Sequence, residues 1–96
     1  MAEQILRSKE MKELSQAILR LETMEECRRF FRDLCTLSEL EAMVERFQIA
    51  KRVFDGEKYR EISKKTGSST ATITRVARWL HHGMGGYRLV LERMQR

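Results

Sequence analysis

Apolar side chains recur along this chain at helical spacing, and strand-like alternation is missing throughout. Met11, Leu14, Ile18 and Leu21 form an i, i+3, i+4 stripe, which predicts a first helix over about Glu3–Leu21. Thr23, with Glu26 three residues on, has the spacing of a capping box and opens a second helix. Met24, Cys27, Phe31 and Leu34 then fall on one side of it. Thr36 and Glu39 repeat that spacing before a longer third helix. Its apolar line is Leu37, Leu40, Val44, Phe47 and Phe54, interrupted by Lys51, with Met43, Ala50 and Val53 beside it. Asp55-Gly56 ends it, because glycine suits the left-handed cap position. So much apolar surface on one long helix of a short chain points to a partner subunit.

From Tyr59 the pattern changes. A short helix, Tyr59 to Lys65 or Thr66, is followed by Gly67-Ser68, and another begins near Ser69. Ile62 before the bend, and Ile73, Val76, Ala77 and Leu80 after it, make the apolar face. This is a helix-turn-helix over about residues 59–80, with Gly67 supplying the positive φ of the turn. Ser69, Thr70, Thr72, Thr74 and Arg75 fall on or near its outward side, where small hydroxyl side chains suit close approach to phosphates and base edges. Ala71 and the threonine methyls suit contact with thymine methyls. Lys64, Lys65 and Arg78 are the phosphate partners, joined by Ser69 and Thr74. The plainer alternative is an amphipathic hairpin whose threonines serve as caps. His81-His82-Gly83-Met84-Gly85-Gly86 breaks the helix, and a last one runs over Tyr87–Arg96.

Charge sharpens this picture. The net charge is +5, and apolar residues make up 42% against 34% charged, as in a globular chain. Residues 57–82 carry six basic and two acidic side chains, and residues 83–96 three and one, whereas residues 1–36 are balanced at seven each. The basic excess lies in the C-terminal half, which favours a polyanionic partner. Ninety-six residues suit a single domain spanning 1–96, although a compact monomer of this size is marginal. The chain has no run long enough for a membrane span and no signal-peptide core, so the expected location is the cytoplasm. Cys27 and Cys35 read as small buried hydrophobes, with no metal spacing and no cofactor motif. A Gly-rich phosphate loop and a nucleophile with its base are both missing, so an enzyme is not expected.

Thr36-Leu37-Ser38-Glu39-Leu40-Glu41-Ala42, Arg46, Asp55-Gly56-Glu57 and above all Ala71-Thr72-Ile73-Thr74-Arg75 resemble the Trp repressor. The whole chain is more similar to the Trp-repressor-like YerC/YecD proteins. The resemblance implies an all-α, six-helix subunit in an intertwined homodimer, with dimerisation helices over about 3–55 and 87–96. It also implies a transcription regulator that reads a palindromic operator in duplex DNA. Arg60 matches a base-contacting arginine, and Thr70, Ala71 and Thr72 match groove-facing positions, Thr70 replacing an isoleucine. Arg46 and Arg75 match the two arginines that flank the corepressor. Val76, however, stands where the family has glycine, and Trp79 where it has a serine near the ligand's ammonium. Arg46, Arg75, Val76 and Trp79 therefore outline a vestigial effector pocket filled by Trp79 with Val76, and L-tryptophan is not the expected corepressor. The plainer roles are Arg46 paired with Glu45 or a neighbouring aspartate, Arg75 on a phosphate, and Trp79 in the core. Two other functions compete: a basic helical dimer that binds proteins of the transcription apparatus, and a regulator answering to a different small effector.

Overall fold

The computed structural model describes residues 3–96, and all its regular elements are helices. Seven helices occur among these residues where six were expected. They are α1 (Glu3–Leu6), α2 (Lys9–Ile18), α3 (Met24–Leu34), α4 (Leu37–Phe54), α5 (Tyr59–Thr66), α6 (Thr70–His82) and α7 (Gly86–Met94).

The additional helix arises at Ser8. Its hydroxyl donates to the Ile5 carbonyl at 2.7 Å and accepts from the Met11 N–H at 3.0 Å. With ψ near 159°, Ser8 is the extended N-cap of α2. Serine offers the backbone an alternative to the helical ladder, and here the expected Glu3–Leu21 helix takes it. The stripe itself survives: Met11, Leu14, Ile18 and Leu21 are half-buried among exposed neighbours. Thr23 caps α3 by accepting from the Glu26 N–H at 3.1 Å. Glu26 Oε1 in turn accepts from the Glu22 N–H at 2.8 Å, one residue before the cap.

The chain divides into two compact units, the first ending at Leu37 and the second spanning Ser38–Arg96. Helices α1–α3 contain no buried residue. In the second unit the core collects Ile49, Ala50 and Val53 from α4, Ile62 from α5, Ile73, Val76, Ala77 and Leu80 from α6, and Leu91 from α7. Phe47, Phe54 and Tyr87 pack on its margin, and the Arg88 guanidinium lies 5.8 Å from the centre of the Phe54 ring.

The buried face of α4 is only partly the expected one: Ala50 and Val53 are buried and Phe47 and Phe54 pack beside them. Leu37 and Val44 remain about 60% exposed, while Ile49, absent from the expected line, is completely buried. α4 carries apolar residues around more than one face, and only one of them is used by the core. The helix ends with a Schellman motif at Gly56, whose φ is +84°. The N–H groups of Gly56 and Glu57 donate to the carbonyls of Val53 and Arg52 at 3.0 and 3.1 Å.

Candidate nucleic-acid interface

Local rules position α5 and α6. α5 stops at Gly67, left-handed with φ +77°, whose N–H donates to the Ser63 carbonyl at 2.9 Å. Three residues later α6 starts, with Ser69 as N-cap accepting from the Thr72 N–H at 3.1 Å. Hydroxyl groups bind the turn together. Ser63 Oγ donates to the Ser68 carbonyl at 2.7 Å, Thr66 Oγ1 donates to the Ile62 carbonyl at 2.7 Å, and the Ser68 N–H donates to Thr66 Oγ1 at 3.2 Å. Ile62 on one side, and Ile73, Val76, Ala77 and Leu80 on the other, anchor the pair in the core. These five are the residues that periodicity selected.

Burying that face turns the opposite one outward. Thr70, Ala71, Thr74, Arg75 and Arg78 are exposed along α6, as are Arg60 and Lys64 on α5, while Thr72 is half-buried. Arg60 and Lys64 are four residues apart and so share a face of α5. Thr70 and Ala71 lie in the first turn of α6, where an N–H has no intrahelical carbonyl to reach. The amide end of the helix thus adds positive potential beside the basic side chains.

Several hydroxyls are already engaged. Thr74 Oγ1 donates to the Thr70 carbonyl at 2.8 Å, so its proton faces the helix and must rotate away to meet a phosphate. Ser69 Oγ and Thr72 Oγ1 lie 3.0 Å apart and share a hydrogen bond that uses one of their two protons. The other proton is free to face outward. Lys65 is held by Glu57, Nζ to Oε1 at 3.1 Å, and Arg52 Nη1 reaches the same carboxylate at 3.3 Å. The Lys65 hydrogen bond above all, with the charges of Lys65 and Arg52, lowers the Glu57 pKa, partly offset by burial. A phosphate must compete with Glu57 for Lys65, whereas Arg60, Lys64 and Arg78 form no ion pair among the described residues.

The four residues of the expected effector pocket are not equivalent. Val76 is a core residue, 3% exposed, and Trp79 is 61% exposed rather than packed inside. Trp79 instead lines an open apolar groove of about 490 Å³ with Phe47, Met84, Tyr87 and Val90. Arg46 and Arg75 are exposed and form no ion pair among the described residues. Glu45, the expected partner of Arg46, accepts instead from the Ser68 hydroxyl. Glu45, Ser68 and Glu57 were missing from the sequence-based site. The Ser/Thr-rich turn signalled local side-chain-to-backbone bonds, but Glu45 lies 23 residues from Ser68 and nothing in the spacing links them. Gly83 has a different role from the turn glycine. A Cβ there would lie 2.4 Å from the Trp79 carbonyl oxygen, so close approach excludes any side chain. No group of three His, Cys, Asp or Glu side chains among the described residues could hold a metal, and no helix is long and apolar enough to cross a membrane.

Comparison with known proteins agrees with this geometry. The family model for the Trp repressor protein matches residues 9–95. YerC of Bacillus subtilis (strain 168), an uncharacterised protein, is 43% identical over 90 residues, covering 94% of this chain and 86% of its own length. A TrpR-like protein from Eubacterium eligens ATCC 27750 superposes with a TM-score of 0.88 at 42% identity, over 94% of this chain and 93% of that one. A candidate Trp repressor from Staphylococcus aureus gives 0.89 at 44% identity, over 99% and 95%. The chain accordingly belongs to the Trp repressor family and is a YerC-like member of it.

Proposed function

We propose that this protein is a sequence-specific, DNA-binding transcription regulator that acts as a homodimer and places α6 in the major groove of a palindromic operator. One observation carries the reading. The face of α6 opposite Ile73, Val76, Ala77 and Leu80 is open, and it presents small hydroxyl and methyl groups with Arg75 and Arg78 behind a capped helix N-terminus. In this reading Arg60 grips the O6 and N7 of a guanine, and Thr70, Ala71 and Thr72 meet base edges. Lys64, Arg78, Ser69, Thr74 and, once released by Glu57, Lys65 meet phosphates. The homodimer is supported by α1–α3, which contain no fully buried residue, and by the open face of α4. Two-fold symmetry then spaces the recognition helices about 34 Å apart, one turn of DNA. The protein acts in the cytoplasm, where its operator is.

L-tryptophan is not its corepressor. Val76 is in the core, 3% exposed, and by the family resemblance it and Trp79 stand where a glycine and a small serine are expected. Calorimetry with free L-tryptophan should show no micromolar binding; a micromolar isotherm would overturn this point.

Selection of bound duplexes from a random pool, with and without small-molecule extract, tests the whole reading. A symmetric enriched site is the expected result, with affinity falling steeply as salt rises. Enrichment only with extract would assign the protein a small effector. No enrichment at any salt would favour a protein-binding module, for which the groove beside Trp79 and Met84 is the suitable surface.

A further inference from the structure

Ser68 is the one buried polar residue among the described residues, 6% exposed, and it sits between left-handed Gly67 and the N-cap Ser69. Its N–H donates to Thr66 Oγ1 and its carbonyl accepts from Ser63 Oγ. Both bonds stay within the α5–α6 hairpin. The hydroxyl alone reaches outside it, donating to Glu45 Oε1 on α4. α4 is fixed in turn by Ile49, Ala50 and Val53, which start one turn after Glu45 and are buried in the same core. The next residue after Ser68 is the one whose side chain starts the recognition helix.

We propose that Glu45 is a positioning residue for DNA reading: by accepting from the Ser68 hydroxyl it clamps the turn onto α4 and sets where the N-terminus of α6 stands. The physical reason is an asymmetry. A buried hydroxyl that loses its partner retains the full cost of desolvation, so the turn must shift to hydrate it. Ser69, Thr70 and Ala71 shift with it, and base contacts tolerate little displacement. Glu45 itself touches no base or phosphate in this scheme. The inference rests on the DNA-binding reading for its consequence, but the clamp is measurable without DNA.

The test compares Glu45→Ala with Glu45→Gln. Both remove one negative charge near the basic surface, so any general electrostatic gain in DNA affinity is common to them. Only glutamine keeps an acceptor for Ser68. Amide hydrogen exchange of the free protein should be accelerated at Ser68 and Thr72, whose N–H groups donate to Thr66 Oγ1 and Ser69 Oγ, roughly three- to tenfold in Glu45→Ala, and stay near the parent in Glu45→Gln. Amides of Ala77 and Leu80 should be unmoved in both. On a duplex selected by the parent protein, Glu45→Ala should bind roughly three- to tenfold more weakly than Glu45→Gln at equal salt. Adding Ser68→Ala removes the hydroxyl that would need hydration, so the double variant should exchange more slowly than Glu45→Ala alone. Equal exchange in the alanine and glutamine variants would overturn the clamp. Altered exchange with equal affinity on the duplex would overturn its role in positioning. If the parent protein selected no duplex, the DNA reading would fail by itself, and the exchange comparison would still decide whether Glu45 holds the turn.

Discussion

Residues up to Leu37 and residues Ser38–Arg96 use the same materials to opposite effect. Both are built of helices, with side-chain caps at Ser8 and Thr23 in the first and at Ser69 in the second. In the second unit nine apolar side chains from four helices are buried together; in the first, among the described residues, none is. Yet Leu19 is 82% exposed, Met24 86% and Ile5 61%, so the first unit does not lack apolar surface. None of its described residues is fully buried. Helices of four, ten and eleven residues are marginal alone in water, because nucleation is unfavourable and packing supplies most helical stability. The second unit therefore holds a buried core behind α5 and α6, and the first leaves its apolar side chains half-buried or exposed.

The largest effect that sharpens this contrast is in the core. Ile73→Ala removes a completely buried side chain and should cost about 2–5 kcal/mol in chemical denaturation. A loss under about 1 kcal/mol would show that the second unit is not the stable one. Leu14→Ala on the half-buried stripe of α2 should act differently. Its cost should appear as weaker self-association, and the parent melting temperature should rise with protein concentration. A concentration-independent melting temperature would remove the case for a second copy over the N-terminal helices.

Arg60→Ala should leave folding unchanged and cost about 1–3 kcal/mol on the selected operator, with discrimination relaxed at one base pair. Lys64→Ala should weaken binding to all duplexes alike and flatten the salt slope by about one. If Lys64→Ala were sequence-selective, the division between base-reading and phosphate-neutralising residues on α5 would fall.

The smallest effect is one of pH. The Glu57 pKa is lowered in the fold, so its contribution is fully present above the ordinary carboxylate value of about 4.5 and is lost as pH falls through the lower, folded value. Glu57→Gln should therefore lower stability slightly near neutrality, where the contribution is present, and flatten the acid limb below pH 4.5, so that variant and parent converge as pH falls. An unchanged acid limb would show that the Lys65 and Arg52 contacts with Glu57 contribute nothing to the folded state.

Much of this was legible from residue order. Thr23 as a cap, Gly56 and Gly67 as left-handed stops, and the buried quartet of α6 depend on contacts within a turn or two, and such contacts repeat at fixed spacing. Ser8 was legible in principle, but an apolar stripe that runs straight through it outweighed one hydroxyl. α4 misled for a different reason. Its apolar residues surround too much of the helix for periodicity to name a single inner face, and the core took Ile49 while leaving Val44 outside.

The family, the helix-turn-helix and its outward residues follow from the order of amino acids, because helix periodicity, turn chemistry and the Ala71–Arg75 motif are local properties. The tertiary structure alone decided three other matters. It paired Lys65 with Glu57, left Trp79 at the surface while burying Val76, and brought Glu45 to Ser68 across 23 residues. Each depends on which helix faces stack, and a long-range contact forms only where the packed backbone puts its two partners within reach.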